Sequence, residues 1–506
     1  MMNVIQLLEE NAQNRGNQTA FIFREQPITF TQLKESVFKF ADGLRSLGIG
    51  KGDKVALYLP TSPEYVISYL AVWCCGATAV PLDFMLTEDE LVSCMSHSET
   101  KILIMRLKMN ASTGFFKRAI GSLKEIINCG DPGEGALNFS EVLARGRSVV
   151  PSEVAQEKDC AIIFYTSGTT GKPKGVLVNY LQLGAPPEAI KFFVNNDIKE
   201  GDVTVCALPF SHLGGLIYIQ NCLTFGLTVV LMERFVPLEF LRLVSQYKAS
   251  CFWIVPSMYY AFLQLKEFET FDLSSLRWIV TFGASNSPDA LRRFHQFCPK
   301  AYLLNGWGLT ETNAPTTVLP MGATKIESVG RPAPGIDVKV FDDADKEVPV
   351  GVVGEVVVKG WVVTDGYFKD APLTSETIRN GWFHSGDLGK IDQEGFLYIV
   401  GRKKEMIKVG GEIVFEPEVE AAIHKHPDVA EVAVVGVAHN LRGEVPKAYI
   451  ALKQGSVMEE HDLRQFLRQH LAHFKIPHYF EFKSELPKNR IGKVDKEKLR
   501  VTASTR

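Results

Sequence analysis

AIIFYTSGTTGKPKG, residues 161–175, is the stretch on which the reading of this chain turns. Ala161 to Phe164 form an apolar run of strand type. The chemistry then changes abruptly, with glycines at 168, 171 and 175, hydroxyls at Thr166, Ser167, Thr169 and Thr170, and lysines at Lys172 and Lys174. Glycine lets the backbone bend and bring its N–H groups close to an anion. Hydroxyls add donors and lysines add positive charge, a combination suited to polyphosphate. A short polar surface turn shares this composition, but seldom at this length directly behind a strand. The stretch is not a Walker A loop either. Gly168 and Gly171-Lys172 stand too close together, and Pro173 occupies the place of the Ser/Thr that would hold magnesium.

Strand and helix patterns alternate on both sides of this run. Apolar residues at helical spacing (Leu33, Val37, Phe40, Ala41, Leu44, Leu47) predict a helix over 29–47, capped by Thr29 or Thr31. Strands follow at 54–59, 77–82, 101–105, 204–208, 228–231 and 278–281, with a second helix at 64–75. This alternation predicts an α/β chain with helices packed on largely parallel sheets. Residues 337–341 and 353–359 alternate valines between glycine and acidic turns, the pattern of a small all-β section. Beyond it come a helix (417–425), two strands (429–437 and 447–452) and a helix (459–472). Together these make a compact α+β unit of about a hundred residues. Placing the boundary at Gly401-Arg402-Lys403-Lys404 gives expected domains 1–400 and 401–506.

The composition narrows the function classes. The chain has 506 residues, 46% hydrophobic and 22% charged, with a net charge of −3. Those values suit a globular enzyme of several folding units, and nothing in them favours nucleic acid. The nine cysteines form no C-x-x-C pair, and Cys74-Cys75 lies in an apolar run, so they read as reduced thiols of a cytoplasmic protein. MMNVIQLLEENAQNRG lacks the form of a signal peptide, and no apolar stretch is long enough to span a bilayer. Peripheral membrane contact and a homodimer stay open.

Four more stretches carry chemistry: NGWGLTET (305–312), HSGDLG (384–389), GRKKEMIKVGGE (401–412) and PKNRIGKVDK (487–496). With 165–175 they resemble, in content and in order, the motifs of the adenylate-forming superfamily. That superfamily contains acyl-CoA synthetases, peptide-synthetase adenylation domains and beetle luciferases, and this chain is most similar to the acyl-CoA synthetases. The resemblance spans residues 165–496, with the N-terminal third as its usual lead-in. It implies a large N-terminal region of two α/β sheet subdomains plus a small β section, and a mobile C-terminal α+β domain. It also implies ATP, Mg²⁺ and coenzyme A acting on a small-molecule carboxylic acid.

Carried over position by position, the resemblance makes Thr166, Ser167, Gly168, Thr169, Thr170, Gly171, Lys172 and Lys174 the phosphate loop, with Thr166 also turned to the metal. Asn305, Gly306, Trp307 and Gly308 then lie by adenine, where an indole face suits a purine. Thr310 contacts the α-phosphate, and Glu311 serves magnesium as a carboxylate suited to a hard cation. Asp387 offers two acceptor oxygens to the ribose cis-diol, with Arg402 as a second ribose contact. Gly283-Ala284-Ser285 resembles, more loosely, the small-residue turn between adenine and the acyl pocket. His212, in LPFSHLGG, stands for the histidine beside that pocket. Lys493 matches the catalytic lysine of adenylation and Lys404 the hinge. Lys408, Gly410 and Gly411 match the loop that faces the site in the second half-reaction. Asn179 and Ile413 depart from the family's usual His and Asn/Gln. In isolation, Trp307 and Glu311 would read as a buried indole and a solvated acid of one turn, and His212 as a structural histidine. The motif context is what raises them.

Phe210-Ser211-His212 contains no acid, where peptide-synthetase domains usually place an aspartate to meet an α-amino group. Residues 213–218 are apolar. The expected function is an ATP-dependent acyl-CoA ligase that passes through acyl-AMP, on a fatty or other apolar acid. Two neighbouring readings stay open, an aryl-acid CoA ligase and an acyl-AMP ligase that loads a carrier protein. A more distant one is a non-enzymatic nucleotide binder, against which Lys493, Glu311 and Asp387 speak.

Overall fold

Two helix-covered sheets carry the first three hundred or so residues of the computed structural model, and two smaller sheets follow them. The structure describes residues 3–106, 113–130, 135–151, 155–166, 173–283, 288–313, 315–409, 412–488 and 494–504. The first sheet has seven strands, in the spatial order 137–138, 125–128, 102–105, 54–58, 78–81, 160–166 and 174–179. All its pairs are parallel except the last. There Cys160–Thr166 and Lys174–Asn179 run antiparallel, with Thr166 opposite Lys174. The two stems of the phosphate-loop stretch therefore lie side by side on the sheet edge.

The second sheet has nine strands and an order no reading along the chain could supply. Its parallel centre is built from 302–307, 278–281, 251–254, 203–206 and 228–231. The N-terminal strand Thr19–Phe23 then joins in parallel to 228–231, so the chain begins in this sheet, leaves to build the first, and returns. Trp278–Thr281 and Cys251–Ile254 are buried at every position, as strands covered on both faces must be. The helix predicted over 29–47 is Phe30–Ser46. Thr29 caps it, in a capping box with Gln32, and Leu33, Val37, Phe40, Ala41 and Leu44 face the core.

The β section is an antiparallel sheet of 336–341, 354–360, 382–391, 378–379 and 397–402. Val356, Val358 and Leu397 join it to the large core. The last sheet comprises 412–415, 406–409, 443–452, 429–439 and 479–483, with its own apolar cluster that includes Ile407, Val434, Ile450, Leu463 and Leu467. The helix expected over 459–472 ends sooner, as Glu460–Leu467. Leu463 and Leu467 bury its apolar face, and the chain then turns to bring Ile476 into the same cluster. All nine cysteines are free thiols. Among the described residues no helix is long and apolar enough to cross a membrane.

Candidate active site

The strand Tyr302–Trp307 runs out of the second sheet, and Trp382–Ile391 out of the β section. The end of the first meets the middle of the second at a buried carboxylate, Asp387. Trp307 donates its indole N–H to Oδ2 of Asp387 at 2.8 Å, and Arg402 forms an ion pair with the same carboxylate, its Nε 2.7 Å from Oδ1. Arg402 reaches Asp387 because the two are direct partners across the antiparallel pair of 382–391 with 397–402. Only 5% of the Asp387 side chain is exposed. Burial raises its pKa above the ordinary 3.8, while the Arg402 guanidinium and the indole N–H oppose that rise. The turn leading into it is also held, since Gly386 donates its N–H to Glu355 Oε1 at 3.0 Å and the Asp387 N–H reaches Ser385 Oγ at 3.1 Å. The result is an acceptor pair of fixed direction beside an indole of fixed tilt.

Glu311 sits in the one-turn helix Thr310–Thr312, directly after that tryptophan strand. Its Oε1 accepts the Tyr367 hydroxyl at 3.0 Å, and its main-chain carbonyl accepts the Thr364 N–H at 2.8 Å. Oε2 carries no hydrogen bond among the described residues. Phe368, next to Tyr367, donates its N–H to the Gly175 carbonyl at 2.7 Å. This brings Glu311 to the stem of the phosphate-loop stretch. Thr166 and Lys174 mark the two stem ends, whereas Ser167, Gly168, Thr169, Thr170, Gly171 and Lys172 lie outside the described residues.

The remaining sequence candidates fall into three groups. Asn305 is buried, with its amide donating to the Ser328 carbonyl at 3.0 Å, and a Cβ on Gly306 would lie 3.0 Å from Val318. Both therefore shape the strand that carries Trp307, which Gly308 and Thr310 continue into the turn. His212 precedes the helix Leu213–Phe225. Its Nε2 lies 3.2 Å from Asp83 Oδ2, and 43% of its side chain is exposed. The ring of Phe282 packs on the start of this helix, 3.1 Å from where a Gly214 Cβ would be. The turn Phe282-Gly283 thus faces the His212 helix. Gly283 has φ +89°, which a side chain would disfavour, and Ala284 and Ser285 lie outside the described residues. Lys408 is exposed on the strand Met406–Val409, its N–H on Glu444 Oε2 at 3.2 Å, while Gly410, Gly411 and Lys493 also lie outside. Lys403, beside Lys404, pairs with Asp343 at 2.8 Å and lies 3.7 Å from Glu355, the residue that holds the Gly386 turn.

Reasoning along the chain missed two participants. Asp83, in PLDF, comes from the first sheet, so the acid absent from the residues next to His212 is supplied from elsewhere in the fold. Tyr367, in DGYFKD, carries no local signal beyond an aromatic next to glycine.

This geometry can be set beside known proteins. Residues 8–368 match the model of the AMP-binding enzyme family, and residues 418–493 that of the AMP-binding enzyme C-terminal domain. A long-chain-fatty-acid–CoA ligase of Bacillus subtilis is 30% identical over 97% of this chain and 93% of its own length. An anthranilate CoA ligase solved with anthranoyl-AMP superposes with a TM-score of 0.91 at 28% identity, over 99% of this chain and 97% of that one. An o-succinylbenzoate CoA synthetase of Bacillus subtilis, solved with ATP and magnesium, gives 0.85 at 27% identity, over 98% and 99%. Near-complete coverage on both sides extends the likeness over the whole architecture. The chain therefore belongs to the AMP-binding enzyme family, the adenylate-forming superfamily, as an acid–thiol ligase close to the acyl-CoA synthetases.

Proposed function

We propose that this enzyme joins a fatty or other apolar carboxylic acid to coenzyme A, using ATP and releasing AMP and pyrophosphate. The observation that carries the nucleotide half of this reading is the Trp307–Asp387–Arg402 constellation. A carboxylate offers about four acceptor sites, and here the indole N–H takes one on Oδ2 while the Arg402 guanidinium lies against Oδ1. The remaining two suit a cis-diol, so Asp387 holds the ribose and fixes the base relative to Trp307. The Arg402 guanidinium favours the ionised form against burial.

Glu311 fits a cation, because its carboxylate is held at one oxygen and presents the other beside the stem of the phosphate loop. Bound Mg²⁺ neutralises phosphate charge and orients the triphosphate. The chain's own groups do the rest. The loop 166–174 holds the outer phosphates with backbone N–H groups and lysines. Lys493 bridges the acid's carboxylate and the α-phosphate, which lets the carboxylate attack phosphorus and pyrophosphate leave. The CoA thiolate then attacks the acyl carbon and AMP departs. Residues 401–506 move about Lys404 between the two steps, placing Lys408 and the glycines after it toward the site.

The apolar substrate class rests on the helix Leu213–Phe225 and the Phe282 turn, which offer no charged group, and on Asp83 being paired with His212. Relatives that act on fatty and on aromatic acids are similar at comparable levels, so the aryl reading keeps its support. A pyrophosphate-release screen over saturated, aromatic and amino acids, with and without CoA, tests both halves. Saturated acids should turn over fastest and need CoA to release AMP. Strong amino-acid-dependent ATP–pyrophosphate exchange would overturn the substrate reading, and CoA-independent turnover would overturn the acceptor.

A further inference from the structure

The strap 361–368 is bound to two parts of the site at once. Its backbone joins the strand that leaves the phosphate-loop stretch. Phe368 donates to the Gly175 carbonyl, Leu177 donates to the Gly366 carbonyl at 3.1 Å, and Tyr367 bridges to Val176. Thr364 ties the other side, with its N–H on the Glu311 carbonyl and its hydroxyl on the Leu177 carbonyl at 2.6 Å. Behind the strap, Thr374 of the helix Ala371–Thr377 accepts the Tyr367 N–H at 3.0 Å. A Cβ on Gly366, at φ +132°, would lie 2.5 Å from that same threonine. Tyr367 therefore has a fixed backbone and a buried ring, and its hydroxyl ends 3.0 Å from Glu311 Oε1. A phenol facing a carboxylate oxygen at this distance is the donor of the pair.

We propose that Tyr367 is a positioning residue for Glu311, holding Oε1 so that Oε2 is left for the metal–nucleotide, and keeping that carboxylate in register with the strand Lys174–Asn179. This rests on the assignment of Glu311 to magnesium made above. A glutamate without such a partner samples several rotamers, and ordering it on each binding event lowers affinity by about tenfold. Magnesium tolerates little departure from octahedral geometry, so a carboxylate already aimed through one oxygen suits it.

Tyr367→Phe removes the hydroxyl and leaves the ring packing intact. Mn²⁺ binding to the full-length enzyme with α,β-methylene-ATP, followed by electron paramagnetic resonance, reads the effect without turnover. The dissociation constant for Mn²⁺ and the half-saturating Mg²⁺ for pyrophosphate release should both rise about five- to tenfold, with Tm and the KM for the acid unchanged. Glu311→Gln should weaken Mn²⁺ at least as much, and adding Tyr367→Phe to it should cost nothing further. Unchanged or tighter Mn²⁺ binding in Tyr367→Phe, with Glu311→Gln impaired, would sink the proposal and leave the Glu311 assignment standing. A further loss in the double variant would also sink it, because the tyrosine would then act elsewhere. Unchanged Mn²⁺ binding in Glu311→Gln would remove the assignment and the proposal together.

Discussion

Asp387 shows most directly how function and stability oppose each other in a single side chain. Its pKa is raised in the folded protein by burial, so the ionised form is costly there. By linkage, folded protein binds this proton more tightly than unfolded chain. Stability from this group therefore falls as pH rises from 3.8 through the folded-state value and stays lowered above it. Asp387→Asn removes the charge, so thermal unfolding at neutral pH should show an equal or higher Tm, while the KM for ATP rises by about tenfold or more. A lower Tm with an unchanged KM would contradict both parts. The ribose binding proposed for Asp387 needs the ionised form, so the KM for ATP should climb at acid pH, with a midpoint above that of an exposed aspartate. Arg402→Met removes the main influence opposing burial and should move that midpoint further up, which a pH series of ATP affinity on the two proteins would show. Glu311→Gln should behave differently. It should depress kcat more than it raises KM, because the charge it helps neutralise shifts during the reaction.

At the scale of elements, the helix Lys496–Ser504 is held to Glu416–His424 by buried charges, not by apolar packing alone. Glu416, with a side chain 2% exposed, takes Arg500 at 2.8 Å and Lys496 at 3.0 Å, and Lys496 also meets Glu420 at 2.7 Å. Lys488 and Val494 form an isolated bridge across the stretch that contains Lys493, and Asp495 donates its N–H to the Pro487 carbonyl at 2.7 Å. The ends of the PKNRIGKVDK motif are therefore tied to the last sheet through this helix. Removing one partner of such a network leaves a buried charge uncompensated, at a cost of about 3–5 kcal/mol. Lys496→Met should lower the unfolding free energy by that amount, read as a fall in the urea midpoint at unchanged m. If it does so without slowing acyl-AMP formation, the network is structural only. A parallel loss in adenylation, with thioester formation from supplied acyl-AMP spared, would show that it also places Lys493.

For the whole molecule, the proposed reaction needs two arrangements of one site, and the connection at 402–405 is where the β section passes into the last sheet. Lys403 is tied to Asp343 and lies near Glu355, which also accepts the Gly386 N–H before Asp387, so the connection at 402–405 and Asp387 share a neighbour. Lys404→Pro fixes φ at the pivot. Acyl-AMP formation should stay within about threefold of the parent while thioester formation slows by about a hundredfold or more. Lys493→Ala should give the opposite pattern. Single-turnover measurement of each half-reaction distinguishes them, and equal slowing of both steps by either variant would refute the two-arrangement model.

Local chemistry made much of this protein legible from the chain alone. The 54–58, 228–231 and 278–281 strands and the Thr29-capped helix follow from apolar period and capping, which act within a few residues. The 165–175 stretch is likewise a local pattern, whereas Trp307, Asp387 and Arg402 are singled out through the resemblance to the adenylate-forming superfamily. The helix over 459–472 was overrun, because its end is set by where Ile476 packs and not by propensity. The strand order of the nine-stranded sheet, with Thr19–Phe23 beside Thr228–Leu231, depends on pairings two hundred residues apart. The contacts that aim the site are of the same kind. Trp307 to Asp387, Tyr367 to Glu311 and Asp83 to His212 join residues 80, 56 and 129 positions apart, and no local pattern encodes them. Sequence by itself determined which chemical groups the enzyme owns and in what local frame. Tertiary packing alone decided which groups face each other, because burial and hydrogen bonding over long chain separations are properties of the folded core.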